Sequence, residues 1–223
     1  MINRFSDSVN ELFSAVPREL VELFALCTHP YEVVGKLREY LYEMKHGGTY
    51  TEIERDVWVA EGATIADSAI IMPPAVISSG AEIRHCAYIR GSVYIGRGAV
   101  VGNSTEVKNA ILMDGAQAPH YNYVGDSVLG SRAHMGAGAV TSNLKSTGGT
   151  VVIHGEKEID TGMRKMGALI GDGAEIGCGC VLNPGAVIGR ESIVYPLTSV
   201  RGTVAPYSVM KDKDTVIKRR DRG

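Results

Sequence analysis

The sequence predicts an all-β chain, a left-handed parallel β-helix built from hexapeptide repeats, with a short α-helical N-terminal segment. Aliphatic residues recur every six positions at Val59, Ile65, Ile71, Ile77, Ile83, Ile89, Ile95, Val101 and Val107. Alanine stands two positions before six of these, at Ala63, Ala69, Ala75, Ala81, Ala87 and Ala99, and small side chains suit tight corners. The same spacing resumes at Ile170, Ile176, Leu182, Ile188, Val194 and Val200. With only 6% aromatic residues, the core has to be made of stacked aliphatics rather than rings.

Residues 1–48 read as helical. Val9, Leu12, Phe13, Val16, Leu20, Leu23 and Phe24 recur near helical spacing, with Ser6 or Asp7 as N-cap and Pro17 as a break, which predicts two short helices or one kinked one. Val33, Val34, Leu37, Leu41 and Met44 mark a second helix that stops at Gly47-Gly48. These helices are expected to cover the open end of the first coil, where strand edges are otherwise unpaired.

Residues 49–210 form the β-helix. A six-residue unit makes a short strand and a turn, three units close a triangular coil, and each inward aliphatic stacks on its counterpart about 18 residues away. The register breaks twice: at Gln117 to Leu129, and at 142–167, a polar, glycine-containing stretch that reads as a loop or hairpin extruded from a corner. Residues 211–223 read as a solvated basic tail ending in Lys218-Arg219-Arg220-Asp221-Arg222.

A formal net charge of −2 gives no broad field for nucleic acid or an anionic membrane. The N-terminal stretch mixes Arg4, Asp7 and Glu11 among apolar residues, unlike a secretory signal, and no apolar run reaches membrane-spanning length, so a soluble cytoplasmic protein is expected. Cys27, Cys86, Cys178 and Cys180 contain no C-x-x-C pair and read as reduced thiols.

Three runs follow one another at distinctive spacing: Val101 to Lys108, then His120-Tyr121-Asn122-Tyr123-Val124-Gly125-Asp126, then Met135-Gly136-Ala137-Gly138 with Asn143. From about Arg90 to Val200 they resemble the acetyltransferase domain of the bifunctional glucosamine-1-phosphate N-acetyltransferase / N-acetylglucosamine-1-phosphate uridylyltransferase family, including its archaeal sugar-1-phosphate relatives. The resemblance implies His120 as general base and Arg90, Lys108, Tyr123 and Asn143 as acceptor contacts. It places acetyl-CoA contacts at Ala137 through its backbone N–H, and at Asn143, Cys178, Pro196 and Lys213. It also implies a homotrimer; no metal is expected, because no two histidines stand at the H-x-x-x-x-H spacing of a shared zinc site. A second asparagine of the family is His134 here, and the basic residue expected after the loop asparagine falls near Gly148-Gly149, with Lys145 or Lys157 as substitutes. The family's glycine-rich nucleotide loop is not found, so no uridylyl transfer is expected.

Histidine suits the base role because its ordinary pKa lies near neutrality. Arg90 and Lys108, each just after an inward aliphatic and 18 residues apart, read either as a phosphate clamp or as solvated residues with Glu106 as counter-charge. The expected activity is acyl-CoA-dependent acetylation of an amino sugar or amino-sugar 1-phosphate. Two other classes stay open: a non-catalytic trimeric scaffold, and a metal-dependent hydratase of the carbonic-anhydrase type. The hydratase needs an H-x-x-x-x-H pair, yet the residue five after His120 is Gly125.

Overall fold

The computed structural model describes residues 9–219, and the caps at Ser6 and Asp7 and the basic residues Arg220 and Arg222 lie outside them. The hexapeptide aliphatics point inward and stack in register. Ile77 lies beside Ile95, Ile95 beside Leu112, Leu112 beside Leu129, Leu129 beside Ile170 and Ile170 beside Ile188, all in parallel pairs. The result is a three-faced parallel β-helix whose interior is a continuous aliphatic column.

Face A contains the strands Ala75–Ile77, Val93–Ile95 and Ala168–Ile170; face B contains Val100–Asn103 and Gln117–His120; face C contains Tyr88–Ile89 and Val181–Leu182. Face B is a nine-stranded sheet of its own. Faces A and C belong to one 14-stranded sheet, because Glu106–Leu112 and Tyr123–Leu129 run from C to A without a break.

Those two strands explain the expected irregularity at Gln117 to Leu129. No loop leaves the helix there; the corner between faces C and A loses one residue. Ile89 to Ile95 spans six positions but Val107 to Leu112 spans five, with Asn109 and Asp126 each turning the corner alone at φ 47° and 48°. Asparagine and aspartate tolerate this left-handed conformation better than most non-glycine residues.

The 142–167 segment does leave at that same corner. Its hairpin pairs Val152–Ile153 with Ile159–Asp160, and it returns at Gly167, whose N–H donates to the Asp126 carbonyl at 2.8 Å. The loop folds back on face A: Val151, Ile153 and Met166 are buried there with Val128, Leu169 and Val187.

The helices Val9–Leu12, Val21–Ala25 and Val33–Glu43 join the same cluster. They pack along the outside of face A against Val76, Tyr94 and Ile111 rather than over the open end of the first coil. The outward positions of face A that they meet, Val76, Tyr94, Ile111 and Val128, are aliphatic or aromatic and are buried in this cluster. Asp172 fixes the contact, accepting from the Ser14 N–H at 2.6 Å and the Ser131 N–H at 2.8 Å. The last helix ends at Glu43, before Gly47-Gly48, because Met44 turns extended and packs on the cluster.

On the face A side, the first coil is covered by the antiparallel strand Tyr50–Glu54 against Val57–Ala60. At the far end, residues expected in a solvated tail fold back: Val216–Lys218 pairs antiparallel with Ser208–Met210, and Arg219 donates to the Glu191 carbonyl at 2.6 Å. Each reversal gives a terminal strand a partner.

Candidate active site

The corner between faces B and C repeats one geometry in successive coils. The N–H of Tyr121 donates to the Asn103 carbonyl, Gly138 to His120, Gly179 to Ala137 and Leu197 to Cys178, at 2.8 to 3.0 Å. His120, Ala137, Cys178 and Pro196 therefore stand one above another on a single edge. They are 17, 41 and 18 residues apart, the long interval being the coil that carries the loop. The residues after the first three, and Leu197 after Pro196, all have positive φ, which thrusts the edge outward.

His120 is exposed, and among the described residues none hydrogen-bonds its imidazole. Its backbone is held by Asn122, whose Oδ1 accepts the His120 N–H at 3.0 Å while Nδ2 donates to Gly136 and Ala139 at 2.8 and 3.0 Å. Ala137 is exposed, and no described group accepts from its N–H. Lys213 sits at the tip of the terminal hairpin; with Met210 beside Val194, that tip continues the edge past Pro196.

Face C begins where His120 ends. Tyr88, Arg90, Glu106, Lys108 and Tyr123 alternate with the inward Ile89, Val107 and Val124, and Lys108 follows Val107 as Arg90 follows Ile89. Each cation carries an acidic partner. Arg90 Nη1 lies 2.5 Å from Glu106 Oε1, which raises the guanidinium pKa, and Lys108 Nζ lies 3.5 Å from Asp126 Oδ2. The counter-charge at Glu106 is thus present, and the two cations still share one face.

Tyr123 folds its ring over Gly125: a Cβ there meets the ring at 2.5 to 2.7 Å. Burial pushes the Tyr123 phenol pKa up, while the Asn143 amide, donating to its oxygen at 3.2 Å, opposes this. Asn143 also donates to Asp126 at 2.5 Å, so the first loop residues are fastened to face C.

Three predicted residues stand apart. His134 lies on face B, beside Gln117 and Glu175, with Nδ1 3.1 Å from Glu175 Oε2. The corner separates it from Lys108 and Tyr123 in the same chain. Lys145, the substitute for the missing loop cation, donates to the Thr150 carbonyl at 3.0 Å within the loop, and Lys157 is exposed near the turn of the loop hairpin. Sequence reasoning missed Asp126 and Asn122; their signal was a polar residue in the H-x-x-Y-x-G-D run where the inward or corner register demands burial.

A family profile described as the GMPPB C-terminal domain matches residues 71–164, a stretch that contains Arg90, Lys108, His120, Tyr123 and Asn143 but not Cys178, Pro196 or Lys213. The bifunctional sugar-1-phosphate nucleotidylyltransferase/acetyltransferase of Sulfurisphaera tokodaii is 38% identical over 94 residues, 42% of this chain and 23% of that protein. The bifunctional protein GlmU of Methanococcus vannielii is 35% identical over 119 residues, 53% of this chain and 29% of that protein. The chain thus matches less than a third of the length of these relatives. Among solved structures, the acetyltransferase domain of PglB from Neisseria gonorrhoeae is similar at 16% identity and TM-score 0.42, over 72% of this chain and 56% of that one. No described helix is long and apolar enough to cross a membrane. In sequence the chain resembles the bifunctional nucleotidylyltransferase/acetyltransferases of the GlmU type, and its fold is a hexapeptide-repeat β-helix.

Proposed function

We propose that this chain is a cytoplasmic acyl-CoA-dependent acetyltransferase acting on an amino sugar or amino-sugar 1-phosphate. The observation that carries the reading is the edge on which His120 and Ala137 are stacked beside the face that holds Arg90, Lys108 and Tyr123. Acetyl-CoA lies along the edge, with the Ala137 N–H, Cys178, Pro196 and Lys213 as contacts; Asn143, at the opposite border of face C, serves the acceptor. The acceptor lies on face C with its amine toward His120.

His120 takes a proton from the amine as the nitrogen attacks the thioester carbonyl. The C–N bond forms, the tetrahedral intermediate collapses, the C–S bond breaks, and CoA leaves as the thiol once the sulfur regains a proton.

A homotrimer fits this reading. Face A is covered by the chain's own helices and loop, leaving faces B and C for neighbours. A head-to-tail contact of face B on face C closes a ring and adds the neighbour's copy of His134 to the cleft.

The test is thiol release from acetyl-CoA with a panel of amino sugars and their 1-phosphates, comparing the native chain with His120→Ala. Turnover that the substitution abolishes supports the reading; no turnover with any acceptor favours the scaffold, for which the loop-bound Lys145 speaks.

A further inference from the structure

Asp126 is a carboxylate only 4% exposed, on a left-handed corner, with three side-chain donors around it. Asn109 Nδ2 reaches Oδ1 at 2.7 Å, and Asn143 Nδ2 and Lys108 Nζ reach Oδ2 at 2.5 and 3.5 Å. Two of those donors, Lys108 and Asn143, are the acceptor-contact residues of the proposed site, and Asp126 is their common partner. The main chain tightens the cluster, since the Asp126 carbonyl accepts Gly167 N–H where the loop returns.

A carboxylate can only accept, so the edge of the Asn143 amide turned to Asp126 has to be its NH2. One hydrogen goes to Asp126 and the other to the Tyr123 hydroxyl. Both donors of the amide are then used, and no described group donates to its Oδ1. Lys108 in turn gives one of its three hydrogens to Asp126 and keeps the rest for a ligand oxygen.

We infer that Asp126 is the positioning residue of the acceptor site: it turns Asn143 so that Oδ1 faces the ligand and steadies the Lys108 ammonium. This rests on the acetyltransferase reading and adds a specificity to it. At Asn143 the site demands a group that donates a hydrogen bond, a hydroxyl of the sugar, while Lys108 serves an oxygen acceptor such as a phosphate.

The experiment is steady-state kinetics of the full chain with the acceptor found in the thiol-release panel and its monodeoxy analogues. Asp126→Asn, in which residue 126 can present either edge, raises the acceptor KM roughly 10- to 100-fold, the scale of a lost charge-assisted hydrogen bond, with the acetyl-CoA KM unchanged. It also erases the native chain's discrimination against one deoxy analogue. The double variant Asp126→Asn with Asn143→Asp exchanges donor and acceptor, keeps an oxygen toward the ligand, and recovers at least tenfold of the lost affinity. An unchanged acceptor KM in Asp126→Asn, or an equal rise in both KM values without recovery in the exchange, overturns the inference alone. A native chain that turns over no acceptor overturns the underlying reading and the inference with it.

Discussion

The Asn122 side chain accepts the His120 N–H at 3.0 Å and, from the same amide, donates to the Gly136 and Ala139 carbonyls one coil away. One buried residue therefore ties the candidate base to the turn that carries Ala137. Asn122→Ala leaves three backbone groups without that partner, of which those deepest in the corner have no water to replace it. Equilibrium denaturation should show a loss of about 2–3 kcal/mol. Turnover should fall further than stability accounts for, because the His120 and Ala137 turns lose their mutual reference. Asn122→Asp, which keeps the acceptor for His120 but removes both donors, should be no better than the alanine.

Gly125 lets Tyr123 lie flat on the backbone. Gly125→Ala puts a methyl group into the ring at 2.5 to 2.7 Å, so the ring must swing away and release Asn143. Overpacking of this kind costs about 1–3 kcal/mol. The acceptor KM should rise while the acetyl-CoA KM stays put, since the donor edge is on the other border of the face; equal changes in both constants would place Tyr123 outside the acceptor site.

How much of this was legible beforehand follows from what kind of signal each feature leaves. The inward column left a period of six that needs no tertiary information, so the coils could be placed residue by residue. His120, Lys108 and Tyr123 were found through a motif, and the coil geometry explains why its members meet: 17 residues make one turn where Asn109 and Asp126 shorten the corner. The packing of the helices on face A was not legible. Tyr94 and Ile111 alternate with core residues just as exposed positions do, and only the fold reveals that their outward side is covered. The Lys218 and Arg219 pair looked like a tail because charge says nothing of the strand pairing that folds it back.

His46 gives a pH test of the join between the helices and the first coil. Its ring stacks on Trp58 at 4.1 Å, its Nδ1 is buried with no hydrogen-bond partner among the described residues, and burial lowers its pKa below 6.5. Below pH 6.5 the unfolded chain takes up a proton at this residue and the folded chain does not until lower pH, so stability falls as the pH drops through that window. His46→Phe keeps a stacked ring and cannot titrate. Between pH 7 and pH 5 its melting temperature should fall less than that of the native chain; parallel curves would show that the His46 ring is already solvated.

The donor edge is tested apart from the acceptor chemistry by ligand-dependent melting. A ligand present at 100 times its Kd stabilises the folded state by about 2.7 kcal/mol. For a chain of this size that is roughly 5–10 °C at 2–4 °C per kcal/mol. Cys178 is exposed on the edge between Ala137 and Pro196, and its side chain has no role in the aliphatic column. Cys178→Tyr adds a ring to the edge and should leave the melting temperature of the free chain within about 1 °C, since exposed substitutions away from caps and cores cost little. It should remove most of the CoA-induced rise and increase the acetyl-CoA KM while sparing the acceptor KM. A full CoA shift in the Cys178→Tyr chain would mean that the donor does not run along this edge. The stack from His120 to Pro196 would then be a feature of the solenoid alone.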